Sequence, residues 1–236
     1  MRPYPLLGIF LLCCISLSCR KSGDGSSPNG KVYEYGFTSG TEGWTGGFAD
    51  YPNEPNVEQT YQLEFSHSFL PAPLNPSDGA LKQSGINRSD DLFMFIKRKI
   101  SGLEPMKTYM VSITVNIASN AANNMIGIGG SPGESVWIKA GAVTSEPVNV
   151  LNTSDNHYRM NIDQGIQSNS GADMKVIGNF ANGTAINEYK LKTMATTSSL
   201  AVKANAQGEI WLVVGTDSGF EGKTTIYYNS IQAVIR

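Results

Sequence analysis

From residue 31 onward apolar side chains recur at every second position, and this period restricts the fold more than any other feature. Between Thr108 and Ala118, Tyr109, Val111, Ile113, Val115 and Ile117 alternate with Met110, Ser112, Thr114 and Asn116. Successive side chains of an extended chain point to opposite faces, so this segment is a strand with one apolar and one mostly polar face. Glu209 to Thr216 is apolar on both faces, as a central strand would be. Thr224 to Ile235 sets Tyr227, Asn229, Ile231, Ala233 and Ile235 opposite Ile226, Tyr228, Ser230, Gln232 and Val234. Further strands are predicted over 32–37, 60–65, 92–100, 135–142, 175–181 and 189–193. No long window carries a helical period, and the nearest approach is a short turn over 116–124. Clusters of Gly, Pro, Asn and Asp separate the runs, among them Pro52-Asn53-Glu54-Pro55-Asn56 and Gly127 to Gly133, and read as turns and loops. The pattern predicts an all-β fold, an antiparallel β-sandwich of about 8–11 strands. Its long loops put binding chemistry at loop ends or on an open sheet face.

Charge and cysteine content exclude several classes of function. Of 236 residues, 18 are Lys or Arg and 20 are Asp or Glu, so no basic footprint exists for nucleic acid. Residues 31–236 are read as a single β-sandwich domain, long enough to bury a core. All three cysteines, Cys13, Cys14 and Cys19, precede it. Disulfides, a cysteine nucleophile and thiolate zinc sites are therefore excluded from the domain, and no cofactor is required by its residues.

Residues 1–19 read as an export signal. Arg2 precedes the apolar run Leu6 to Ile15, too short to span a bilayer, which needs about 20 residues. The run ends in Ser16-Leu17-Ser18-Cys19, which resembles the lipobox of bacterial lipoproteins, with Ser16 where an aliphatic residue is usual. The resemblance implies lipidation of Cys19 and a lipid-anchored location in the bacterial cell envelope, periplasmic or at the surface. An ordinary secretory signal is the alternative. Residues 20–30, rich in Ser and Gly, are expected to form a flexible tether, holding the domain roughly 10–20 Å from the membrane. Membrane contact is then through the anchor only.

Three segments resemble carbohydrate-binding modules of the galactose-binding-like jelly-roll type. Tyr35-Gly36-Phe37-Thr38-Ser39-Gly40-Thr41-Glu42-Gly43-Trp44 is similar to their opening F-[ED]-x-G-T-E-G-W. Ile100-Ser101-Gly102-Leu103-Glu104-Pro105-Met106-Lys107-Thr108-Tyr109-Met110-Val111-Ser112 is similar to V-x-G-L-x-P-G-x-T-Y-x-V-S, with Met106 in place of glycine. Thr225 to Val234 resembles the strand on which such modules end, often of the form Y-[ILV]-D-[ND]-[IV]-x-[LV]. These motifs are turn glycines and packed aromatics, so the resemblance implies the fold directly and sugar binding by analogy. The stretch from about Gly127 to Thr197 matches nothing in the pattern.

Three constellations are the candidates for chemistry. Arg88, Asp90 and Asp91, at the entry to the 92–100 strand, offer a guanidinium fork and two acceptors for sugar hydroxyls; a charged turn with a local ion pair is the alternative. On a strand from Ser135, Trp137 and Lys139 share a face opposite Val136 and Ile138, which would display an aromatic plane beside an ammonium. A tryptophan covered by a neighbouring loop is the alternative there. Asp217 and Glu221, in the glycine-rich turn 215–223, are candidate oxygen ligands for a structural calcium. Two carboxylates are too few alone, Asp50 or Asp163 would have to join them, and a plain polar hairpin is the preferred reading. His67 and His157 lie in no hydrolase or metal motif. Trp44 and Trp211 read as core.

The leading expectation is a cell-envelope lipoprotein whose β-sandwich binds glycan, or another surface ligand, without catalysis. A polysaccharide hydrolase on the same scaffold is the second reading and requires two converging carboxylates. A structural or adhesion subunit binding a protein partner is the third.

Overall fold

The computed structural model describes residues 30–236; the leader, the lipidation candidate Cys19 and the tether up to residue 29 lie outside them. Strand β1 spans Lys31–Gly36, β2 Thr45–Ala49 and β3 Tyr51–Pro52, followed by one helical turn, α1, at Val57–Thr60. Next come β4 (Glu64–Phe69), β5 (Gly79–Ile86), β6 (Phe93–Ile100), β7 (Thr108–Ser119) and β8 (Val136–Val143). β9 (Asn149–Asn152), β10 (His157–Met160), β11 (Met174–Asn179) and β12 (Lys190–Ala195) precede β13 (Leu200–Lys203), β14 (Ile210–Ser218) and β15 (Lys223–Ile235).

The pairings are antiparallel throughout, so the all-β expectation holds. A seven-stranded sheet runs β12-β7-β15-β5-β4, with β1 beside the C-terminal half of β15 and β13 beside the start of β7. A five-stranded sheet runs β11-β8-β14-β6-β2, and β3-β10-β9 form a small third sheet. The two large sheets enclose one aliphatic core. Val111, Ile113, Val115 and Ile117 of β7 meet Ile138, Ile96, Leu212 and Val214 of the facing sheet. The alternate β7 residue Met110 is exposed, as the period requires.

The other face of the five-stranded sheet is also covered. Phe93, Phe95, Val213, Ala49 and Met174 form a second cluster, against which Met160 and Ile162 pack. Those two residues come from the end of β10 and the chain after it, so a thin third layer lies on part of the sandwich. This layer explains why β14 is apolar on both faces.

The resembled motifs occupy structural positions. Trp44 is buried, edge-on to Tyr35 at 5.6 Å and Phe37 at 6.5 Å between centroids. Tyr109 accepts a hydrogen bond at its hydroxyl from the Glu104 amide (2.8 Å). Met106 has φ 60°, so it holds the left-handed turn for which glycine is suited.

Two expectations need correction. The strand predicted over 60–65 begins only at Glu64, because Thr60 and Tyr61 donate backbone bonds to Asn56 and Val57 and close a helical turn. Val57 and Tyr61, four apart, both turn into the core. Trp211 is not core: its side chain lies on the outer sheet face between Lys97 and Lys99, whose ammoniums stand 5.6 and 5.9 Å from the ring centroid. The sandwich also contains β2 and β5, which lack apolar alternation. At Gly46 and Gly47 a side chain would collide with the rings of Phe65 and Phe95, at 2.3 and 2.4 Å.

Candidate functional site

The outer face of the five-stranded sheet brings most of the sequence candidates together. Strand register sets Trp137, Asp217, Phe93 and Ala49 in one row, and Lys139, Gly215, Phe95 and Gly47 in the next. Lys139 and Asp217 are diagonal neighbours on adjacent strands, and Lys139 Nζ donates to Asp217 Oδ2 at 2.7 Å. The second Lys139 bond goes to the Gln164 carbonyl (2.9 Å), and the Gln167 amide donates to Asp217 Oδ2 (2.9 Å). The chain from 164 to 167 thus caps the ion pair, whose side chains are 0% and 2% exposed.

Two more carboxylates join the cluster. Asp50, following β2, accepts from Arg159 Nη1 (3.1 Å) and Gln164 Nε2 (2.9 Å). Asp91 lies 3.8 Å from Arg159 Nη1 and is about a quarter exposed. Arg159 also grips Asp155 through Nε (3.1 Å) and Nη2 (2.9 Å). Asn87 fixes the loop that carries Asp91: its amide donates to the Ser218 carbonyl (2.7 Å), and its Oδ1 accepts from the Ser89 and Leu92 amides.

Three acids share this space with two cations, and the acids respond. Burial, then the charges of Asp217 and Asp50, push Asp91 up to about 7. Burial pushes Asp50 up to about 6 against the pull of Arg159. Burial also raises Asp217, while Lys139 draws it back. Asp217 Oδ1 is sealed from solvent without a hydrogen-bond partner, and the neighbouring Asp91 carboxyl, when protonated, is the group that would donate to it.

This geometry corrects several candidates. Lys139 does share a face with Trp137, but that face lies under the third layer, so its ammonium is spent on Asp217 and cannot meet a ligand. Asp217 faces Lys139 rather than Glu221, which is exposed. Asp50 does arrive near Asp217, and both carboxylates pair with cationic side chains, Arg159 and Lys139. Among the described residues no group of three or more His, Cys, Asp or Glu could hold a metal ion. Arg88 is exposed and turned toward α1, donating through Nε to the Thr60 carbonyl (3.1 Å). Asp90 is exposed with φ 63°, and its carbonyl accepts from Gln167 Nε2 (3.1 Å). Trp137 is half-buried beside Asp217. His67 and His157 bond the backbone carbonyls of Phe37 and Asp155, both at 2.6 Å.

A different arrangement was not foreseen. Beside the cluster, β3 and β10 pair through Tyr51 and Tyr158. Their rings lie 5.2 Å apart, and Tyr61 backs Tyr51 at 6.2 Å. With the Asn53–Gln59 segment they line an open pocket of about 370 Å³. Tyr51 is buried and fixed by the Asn149 amide on its hydroxyl (3.1 Å), whereas Tyr158 is half-buried. Around them the side chains of Glu54, Asn56, Glu58 and Gln59 are exposed and make no hydrogen bond or ion pair among the described residues. The pocket therefore presents an aromatic floor with free amide donors and carboxylate acceptors. The one sequence signal was a polar, proline-bearing run directly after an aromatic, read as a turn.

No family model matches the chain, and no curated protein matches it. Among solved structures, it is similar to a mannan-recognising carbohydrate-binding module, TmCBM27, at 11% identity over 87% of this chain and 99% of that one, with a TM-score of 0.38. It is also similar to the family 11 carbohydrate-binding module of a cellulosomal cellulase of Clostridium thermocellum, at 8% identity, covering 86% and 94% of the two chains, TM-score 0.41. A third likeness is to the enzymatically active domain of bacteriophage CBA120 tailspike protein 4, at 12% identity and TM-score 0.34; it covers 80% of this chain but spans only 19% of the tailspike chain. The class defined by the strand pairings is an antiparallel β-sandwich; these likenesses add neither ligand nor site to it.

Proposed function

We propose that this protein is a non-catalytic glycan-binding module carried on a bacterial cell-envelope lipoprotein. The observation that carries the reading is the pocket between Tyr158 and α1. A partly exposed aromatic ring suits the apolar face of a pyranose, and unpaired Asn, Gln and Glu side chains suit its hydroxyls. The jelly-roll resemblance of the Tyr35–Trp44 and Ile100–Ser112 segments supports the same reading, and the Ser16–Cys19 segment supports the anchor. Of the predicted ligand residues, Arg88 reaches the end of α1 by donating to the Thr60 carbonyl, without lining the pocket. Affinity electrophoresis through gels containing soluble polysaccharides tests it. Retardation by at least one polysaccharide, abolished in Tyr158→Ala, is the expected result; unretarded migration through every gel would defeat the reading.

One observation favours a second reading. Asp91 and Asp217 adjoin with raised proton affinities, as paired carboxyls in acid–base sites do. Release of reducing ends from a polysaccharide, lost in Asp91→Asn, would establish a hydrolase instead.

A further inference from the structure

The pocket continues beyond α1. A second hollow, of about 490 Å³, lies on the other side of the helical turn and shares Glu58 and Gln59 with the first. The two hollows, joined at Glu58 and Gln59, are taken together as one groove over α1. Its charge is one-sided. Glu54 and Glu58 stand in it without a cationic partner, and the Glu58 charge reaches the Tyr51 hydroxyl on the floor. Glu64, in the second hollow, is neutralised by Lys82 at 2.9 Å. Lys223 is the lone cation lining either hollow among the described residues, and its ammonium donates to Gln62 Oε1 at 3.0 Å. A carboxylate or sulfate on a ligand would meet two uncompensated acids beside the aromatic floor, whereas an ammonium would pair with them.

Resting on the glycan reading above, we infer that the groove takes a glycan strand free of acidic groups and prefers amino sugars, with Glu58 and Glu54 as the discriminating residues. Opposed and like charges set partner choice in this way more than raw affinity. Each exposed carboxylate, screened by solvent, gives a preference of about threefold. The two together give about tenfold discrimination, which is about 1.4 kcal/mol.

Isothermal titration of the protein at low salt with two hexasaccharides, fully deacetylated chitohexaose and hexagalacturonate, tests the inference. The amine-bearing hexamer is expected to bind at least about tenfold more tightly. In Glu54→Gln/Glu58→Gln the difference should shrink to less than about threefold. Glu104→Gln, which removes an exposed acid from the turn before β7, should leave the difference intact and so excludes a bulk-charge effect. Equal or tighter binding of the uronate, or a preference that survives the double substitution, overturns the inference while leaving a glycan module. Failure to bind any polysaccharide in the gel experiment overturns the reading beneath it.

Discussion

Two neighbouring regions use polar side chains in opposite ways. On the sheet face, Lys139 is paired with Asp217 and Arg159 with Asp50, and Gln164 and Gln167 add further hydrogen bonds to the set. At α1, a few residues along the chain from Asp50, the side chains of Glu54, Asn56, Glu58 and Gln59 have no hydrogen-bond or ion-pair partner among the described residues. A largely paired set has spent most of its hydrogen-bonding capacity on the protein; an open, unmatched set retains it for something else. The contrast teaches that clustering of charged residues is weaker evidence for a binding site than unspent polar atoms beside a partly exposed ring.

The largest effect expected from breaking this contrast is at the sealed pair. Lys139→Met leaves Asp217 uncompensated under the third layer and should cost about 3–5 kcal/mol in chemical denaturation. Lys139→Met/Asp217→Leu should recover most of that loss, because a well-packed apolar pair replaces a buried ion pair at little cost. Failure of the double variant to recover would mean that the pair does more than fill the site.

The next effect is in pH. Asp91 at about 7 and Asp50 at about 6 both lie above the ordinary carboxylate value of 3.8. Between about pH 4 and 7 the folded protein keeps protons that the unfolded chain has released, so stability should fall as pH rises through that window. The change from pH 5 to pH 8 should be on the order of 2 kcal/mol. Asp91→Asn should raise the melting temperature at pH 8 and flatten the profile, since its amide can donate to Asp217 Oδ1 without a charge. A profile in which stability instead rises with pH would contradict this account of the cluster.

Smaller effects belong to the open region. Tyr158→Ala should weaken oligosaccharide binding about tenfold, the worth of a stacked ring. Trp137→Ala should change it by less than about twofold, because that ring lies beside the capped pair rather than in the groove. Titration of both variants with the same oligosaccharide sharpens the comparison, and equal losses would erase it.

Much of the sandwich was legible because its strands are long. The β7 period placed every side chain from Tyr109 to Ile117 on its observed face, and the alternation of β8 paired Lys139 with Trp137 correctly. It did not show that the outward face of β8 lies under a third layer, because the covering residues Met160 and Ile162 come from short strands and loops without a period. The same limit misplaced Trp211, whose outer face lies between two lysines rather than under that layer. The groove was hidden for a different reason. Tyr51 and Tyr158 meet through a two-residue bridge across more than a hundred positions, and no local pattern records so distant a pairing.

Hydrogen–deuterium exchange with and without a saturating oligosaccharide addresses the central claim, that ligand occupies the groove and not the sealed face. New protection is expected in Tyr51 to Gln62 and His157 to Arg159, with Val136 to Lys139 and Asn87 to Asp91 unchanged. Protection confined to those last two segments would contradict it.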